Sequence, residues 1–212
     1  MVFLPDLATI LTFTLAAAVL TITPGPDMTF FLAKAAVGGT RAGLAAMVGA
    51  STGLVLHTVA VAAGLSALIA ASPAAFNVLK VVGALYLLWL AIGVLRSGSG
   101  LTLDKTVAAN EPLSRIYWSA LGINILNPKV ILFFVTFLPQ FVSPSDPHAG
   151  AKLGFLGIWL IVTALPIMIP MVLSVDWIAA RLTRSRRAMR MFDYLFAGVM
   201  GAFALKLALA RA

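Results

Sequence analysis

The chain has 212 residues, of which 61% are hydrophobic and only 10% charged, with a formal charge of +8. A soluble domain carries roughly 25% charged residues, so this composition excludes a chain that must cover a water-facing surface and predicts a membrane protein. The absence of cysteine excludes disulfides and thiolate metal sites. Two histidines, His57 and His148, offer no basis for a histidine-rich metal centre, so neither metal nor cofactor is expected.

A spanning helix needs about 20 mostly apolar residues, and six runs meet that requirement. The first starts near Leu7, runs to Thr23, meets Pro24-Gly25-Pro26-Asp27, and resumes through Leu32. Residues 1–6 carry no Lys or Arg, so this run is expected to be a retained helix rather than a cleaved signal, which needs a positive leader. A polar loop with Lys34, Gly38, Gly39 and Arg41 is expected next, then a second span from Ala42 to about Ala71. Ser72-Pro73 turns the chain into a third span from Ala74 to about Leu95. A polar linker covers about 97–114, and a fourth span runs from about Arg115 to Val142, interrupted at Asn127-Pro128-Lys129. Ser143-Pro144-Ser145-Asp146-Pro147 is a tight turn. The fifth span covers about Ala149 to Trp177 with Pro166 and Pro170 inside it, a basic loop spans Arg181 to Arg190, and a sixth span starts at Met191.

Cations favour the cytoplasmic side of short loops. Placing the loops after spans one, three and five there collects ten of the fifteen, Arg181, Arg184, Arg186, Arg187 and Arg190 among them. This predicts a multi-pass membrane protein of six spans with both termini outside. The lipid bilayer explains the basic balance, and nucleic acid is not expected as a partner. A first segment that fails to cross would reduce six spans to five.

Two spans resemble each other. TITPGPDMTFFLAK starts at Thr21 and NILNPKVILFFVTF at Asn124. Each has a proline break, a charged residue directly after the last proline, and a Phe pair. Each also opens a group of three spans, and an odd-numbered unit repeated in one chain enters the membrane from opposite sides. The expected fold is an all-α membrane protein with six transmembrane helices as two inverted three-helix repeats, helices 1 and 4 broken by proline. A single transporter domain would fill residues 1–212, with repeat one at about 1–96 and repeat two at about 115–212. Such architectures place substrate near the midplane, between discontinuous helices. Two unrelated proline kinks are the alternative.

In order along the chain stand Thr23-Pro24-Gly25-Pro26, the Gly49/Gly53/His57 span, Gly83-Ala84-Leu85-Tyr86-Leu87, Asn127-Pro128-Lys129 and Leu138-Pro139-Gln140-Phe141. This pattern resembles the LysE/RhtB family of amino-acid exporters of bacterial inner membranes over essentially the whole chain, which implies that location and, with the topology above, periplasmic termini. The resemblance implies efflux of amino acids such as homoserine, threonine, leucine or lysine, driven by protons.

An amino acid brings one ammonium and one carboxylate, and both must be met in a low-dielectric interior. Proline lacks an N–H and frees carbonyls in the turn before it, while the half-helix beginning after a break presents N–H groups suited to a carboxylate. Thr23, Pro24, Gly25, Pro26, Asp27, Asn127, Pro128 and Lys129 are therefore the candidate substrate-binding or coupling residues, with Gly25 allowing close backbone approach. Asp27 would bind the ammonium, carry the proton, or both; the structural reading is a helix cap. Lys129 is its natural partner in an ion pair, either one that exchanges with substrate or a permanent structural one. His57 would relay protons, or simply pack and donate to a carbonyl. Asn124 would assist Asn127 or stabilise the break. Paired glycines such as Gly49/Gly53 suit packing within one bundle, with a homodimer face as the other reading.

Two further functions stand beside amino-acid export. Export of a metal cation or another small solute on the same architecture would need clustered His or carboxylate ligands. An intramembrane enzyme, which is not expected, would need a Ser–His pair or two facing acids such as Asp27 and Asp176.

Overall fold

A computed structural model describes residues 4–65, 111–143 and 146–175, together with isolated helical positions between 78 and 96 and between 190 and 205. Most of the expected third and sixth spans, the linker at 97–110, Asp176 and the basic stretch at 181–189 lie outside the described residues. The described residues are helical, with no strand among them. Large apolar side chains cover their outer faces. Leu7, Leu11 and Leu15 form one exposed stripe at helical spacing, while Ile158, Val162, Ile169 and Leu173 are exposed farther along the chain. Helices that are apolar on both their inner and outer faces belong in lipid.

The first helix, α1, is Leu7–Ile22. Asp6 caps it, accepting from the Thr9 N–H at 2.8 Å and the Thr9 hydroxyl at 3.0 Å, which hold the Asp6 carboxyl below its usual range. It ends at Thr23 because Pro24 and Pro26 supply no N–H to continue the ladder. Helix α2, Pro26–Ala60, opens with extended Gly25 as its N-cap and Pro26 in its first turn, where a missing N–H costs nothing. A π-helical turn, Val61–Leu65, extends it.

The expected loop around Lys34 is instead helical, with one reversal at Gly39. There φ is +78° and ψ is 177°, a conformation that favours glycine. Eight residues of straight helix would separate Ala35 from Gly43 by about 12 Å. A Cβ on Gly43 would lie 2.5 Å from that of Ala35, so the chain folds back on itself. Two arms, 26–38 and 40–60, result. Lys34 is therefore buried at 7% exposure and paired with Glu111, which also meets Arg115 at 3.4 Å. The sequence reading of Lys34 as an exposed loop cation is corrected: a charge survives burial when a partner of opposite sign is buried beside it.

Helix α3, Leu113–Ile125, stops at Asn127; α4, Pro128–Leu132, restarts the chain at a bend of 49°. It continues through a π-helical turn, Phe133–Phe137, and a 3-10 turn, Leu138–Phe141. Helix α5, Ala149–Leu173, carries Pro166 and Pro170 inside it. The two broken segments run antiparallel. Phe13 packs on Phe133 and Phe141 while Leu20 meets Lys129, and Lys34 meets Glu111 while Asp27 meets Asn124 and Asn127. Each half of one segment therefore lies against the opposite half of the other.

Gly49 and Gly53 let the second arm of α2 touch α3. A Cβ on Gly49 would lie 2.3 Å from the Tyr117 carbonyl oxygen, and one on Gly53 2.2 Å from Asn124 Oδ1. Gly157 seats Thr58 in the same way, and the Trp159 indole donates to the Thr14 hydroxyl at 2.8 Å, tying α5 to α1. Two buried apolar clusters follow. One gathers Phe13, Phe133, Phe134, Phe137 and Leu160; the other gathers Met28, Phe31, Ala46, Ala164 and Met168. Helix α5 spans both, and they meet between Leu160 and Ala164.

Candidate functional site

The site forms where the two breaks face each other. In an α-helix the Leu20 carbonyl would accept from residue 24 and the Asn124 carbonyl from residue 128, but both are prolines. Lys129 repairs the first gap: its ammonium donates to the Leu20 carbonyl at 3.1 Å and to the Thr23 carbonyl at 2.8 Å. At the second gap the Asn124 carbonyl accepts from the Asn127 N–H at 3.1 Å, with His57 Nε2 3.4 Å away. Lys129 reaches across because Gly25 has no side chain; a Cβ there would lie 3.1 Å from the ammonium nitrogen.

Asp27 is held from the other segment. Asn124 Nδ2 donates to one carboxylate oxygen and Asn127 Nδ2 to the other, both at 2.7 Å. Hydrogen bonds to an ionised group are about twice as strong as neutral ones, so these two link the breaks firmly. Asn127 is pinned in turn, since its Oδ1 caps α4 by accepting the Lys129 N–H at 3.0 Å. Asn124 is not: its Oδ1 is buried beside Gly53 with no hydrogen-bond partner.

Thr23, Pro24, Gly25, Pro26, Asp27, Asn127, Pro128 and Lys129 all lie at the two facing breaks. Thr23 is buried, and its hydroxyl donates to the Val19 carbonyl at 2.6 Å. The expected Asp27–Lys129 ion pair is not formed, because each charge is met by polar groups instead. Asp27 does not cap α2 either, since Gly25 is the N-cap and the carboxylate is spent across the interface. His57 stacks on Phe134, with ring centroids 5.4 Å apart, in keeping with the packed reading. Sequence reasoning underrated Asn124. Its signal was an amide in an apolar helix one turn before a proline, but only the antiparallel register identifies its partner.

Beside the cross-links opens a small cleft of about 60 Å³. Asp27, Lys129, Thr21 and Asn124 supply its polar wall, and α2 and α5 its apolar wall, including Met28, Phe31, Ala50 and Met168. Leu160 and Ala164 put it near the middle of α5. An ammonium has three donors and a carboxylate about four acceptor sites. Lys129 and Asp27 thus retain capacity beyond their two cross-links each.

The description "LysE type translocator" matches residues 18–211. A homoserine/homoserine lactone efflux protein of Salmonella typhimurium is 34% identical over 73% of this chain and 74% of its own length. A leucine efflux protein of Klebsiella pneumoniae is 30% identical over 93% of each, and an uncharacterized membrane protein of Vibrio cholerae is 37% identical over 68% of this chain and 69% of its own. No solved structure matches. With nearly the whole chain matched and broken apolar helices around a central cleft, the protein belongs to the LysE type translocators, which are transporters and not enzymes.

Proposed function

We propose that the protein exports small amino acids or close derivatives across the bacterial inner membrane, as a secondary transporter driven by proton antiport. The observation that carries this reading is the pair of broken helices cross-linked around a cleft that offers one carboxylate and one ammonium. A zwitterion complements that pair: its carboxylate takes the spare donor of Lys129, and its ammonium takes Asp27 and the freed carbonyls. The names of the Salmonella and Klebsiella relatives point the same way. Around the cleft, the reading adds six spans in two inverted repeats with both termini periplasmic, an arrangement that brings matching breaks to the midplane.

Proton coupling is assigned to Asp27, with Asn124 as its sensor. Ionised, Asp27 accepts from both amides. Protonated, it presents an O–H toward an amide donor. Asn127 is fixed by the Lys129 N–H, whereas Asn124 is free to turn its carboxamide over and offer its unpartnered Oδ1 to that proton. Proton binding then loosens one cross-link and leaves the other. The test uses purified protein in proteoliposomes loaded with labelled threonine, homoserine, leucine, lysine or arginine, with and without an imposed pH gradient. Gradient-stimulated efflux of at least one supports export. Movement of none refutes it, and full proton-driven efflux by Asp27→Asn would remove Asp27 from the coupling.

A further inference from the structure

We infer that the cleft selects an uncharged, flexible aliphatic side chain of leucine or methionine size, and that Ala50, Ala164 and Met168 set its length; this rests on the export reading. Among the described residues, the charge lining the cleft amounts to one acid and one ammonium, Asp27 and Lys129. The α-carboxylate and α-ammonium of the substrate use both. A third charge, such as the amine of lysine or the guanidinium of arginine, would meet no counter-ion among the described lining residues, and an unpaired charge is the most costly kind of burial. A hydroxyl side chain fares better than a charge and worse than a methyl group. Its nearest polar neighbours, Thr21 and Asn124, lie on the wall that already serves the zwitterion.

The facing wall is apolar. Met28 and Phe31 come from the first arm of α2, Ala50 from its second arm, and Ala164 and Met168 from α5. Its two methionines are flexible and polarizable and adapt to irregular aliphatic shapes. Ala50 and Ala164 are each 3% exposed, and they are the smallest of the described side chains lining the cleft. Enlarging either consumes the space a side chain would occupy, and truncating Met168 extends it.

The test measures initial efflux rates of leucine, methionine, threonine, homoserine, lysine and arginine from proteoliposomes. Wild type is expected to move leucine and methionine at least tenfold faster than lysine or arginine, and faster than threonine or homoserine. Ala164→Leu and Ala50→Leu should cut leucine and methionine efflux at least tenfold while largely sparing threonine. Met168→Ala, which adds no bulk, should extend export to phenylalanine and covers the case in which the enlarged variants fail to fold. Lysine moving as fast as leucine would overturn the inference while leaving export intact. So would folded Ala164→Leu and Met168→Ala variants with unchanged substrate profiles. Movement of no amino acid by wild type would overturn the export reading itself.

Discussion

Gly53→Ala is the sharpest test of how the bundle holds its charged site. In an ordinary helix this change favours folding by about 1 kcal/mol, because alanine has the higher propensity. Here the new methyl group would lie 2.2 Å from Asn124 Oδ1, 2.8 Å from its Cγ and 2.9 Å from its Cβ. Asn124 is 1% exposed, so it has nowhere to withdraw without moving α3. Overpacking of a tight core costs about 1–3 kcal/mol. Displacing Asn124 also breaks its bond to Asp27, and a hydrogen bond to a charged group is worth about 1.5–3 kcal/mol. The propensity gain is outweighed, leaving a net loss of about 1.5–5 kcal/mol.

Gly49→Ala separates packing from site geometry. Its methyl group would overlap the Tyr117 carbonyl oxygen at 2.3 Å, in the same helix pair and one turn away, and its nearest neighbours across the interface, Tyr117 and Ala120, do not line the cleft. Thermal unfolding in detergent should fall for both variants. Only Gly53→Ala should also weaken substrate binding, by about tenfold or more, since tenfold corresponds to about 1.4 kcal/mol. A stable Gly53→Ala protein with wild-type binding would refute the reasoning, as would an equal loss of binding in Gly49→Ala.

Other perturbations give distinct outcomes. Lys34→Ala leaves the partly buried Glu111 with the exposed Arg115 as its ionic partner and should lower stability by about 1–3 kcal/mol; Lys34→Met combined with Glu111→Gln should recover most of that in the same thermal assay. Asn127→Asp keeps an oxygen to cap α4 but sets a carboxylate against Asp27, so proteoliposome efflux should be lost while helix content by circular dichroism is retained. Asp146 lies in the turn before α5, where the Lys152 ammonium and the His148 N–H hold its carboxyl below the usual range. A depressed value stabilises the folded state above the ordinary carboxylate range, and that contribution disappears as pH falls through the depressed value. Asp146→Asn should therefore unfold at lower temperature than wild type at pH 7, and the gap should narrow as the pH is taken below the ordinary carboxylate range.

The breaks were readable in the sequence because proline acts locally. Pro24, Pro26 and Pro128 each remove a donor whatever surrounds them, and Asp27 and Lys129 directly after them are conspicuous in apolar runs. Local charge puts Gly39 in a loop, because Lys34 and Arg41 flank it. Its helical neighbours depend on a Lys34–Glu111 contact spanning 77 positions, which no local pattern reveals. The direct Asp27–Lys129 pair was expected from opposite charge alone. What local pattern lacks there is competition: the Leu20 carbonyl orphaned by Pro24 and the Thr23 carbonyl at the helix end claim the lysine, and the amides on the facing segment claim the acid. His57 shows the same limit, since its nearest acceptor is a carbonyl freed by Pro128 and its stacking partner, Phe134, is remote in sequence.

Neither break is complete on its own. The Leu20 carbonyl lost its donor to Pro24 and regains one only from Lys129, while Asp27 finds its donors only on α3 and the residue capping α4. Any motion that parts the two segments must therefore expose orphaned carbonyls, a carboxylate and an ammonium together, at the middle of an apolar bundle where each costs free energy. On the proposed reading, a zwitterion lowers that cost at both breaks at once. It gives Lys129 a carboxylate and gives Asp27 and the carbonyls an ammonium. A ligand shifts a conformational equilibrium only by its differential affinity for the two states, and here that difference requires both charges on one molecule. Leucine amide and N-acetyl-leucine each satisfy one break and leave the other open, so neither should substitute for leucine in driving transport, even though both fill the same apolar wall.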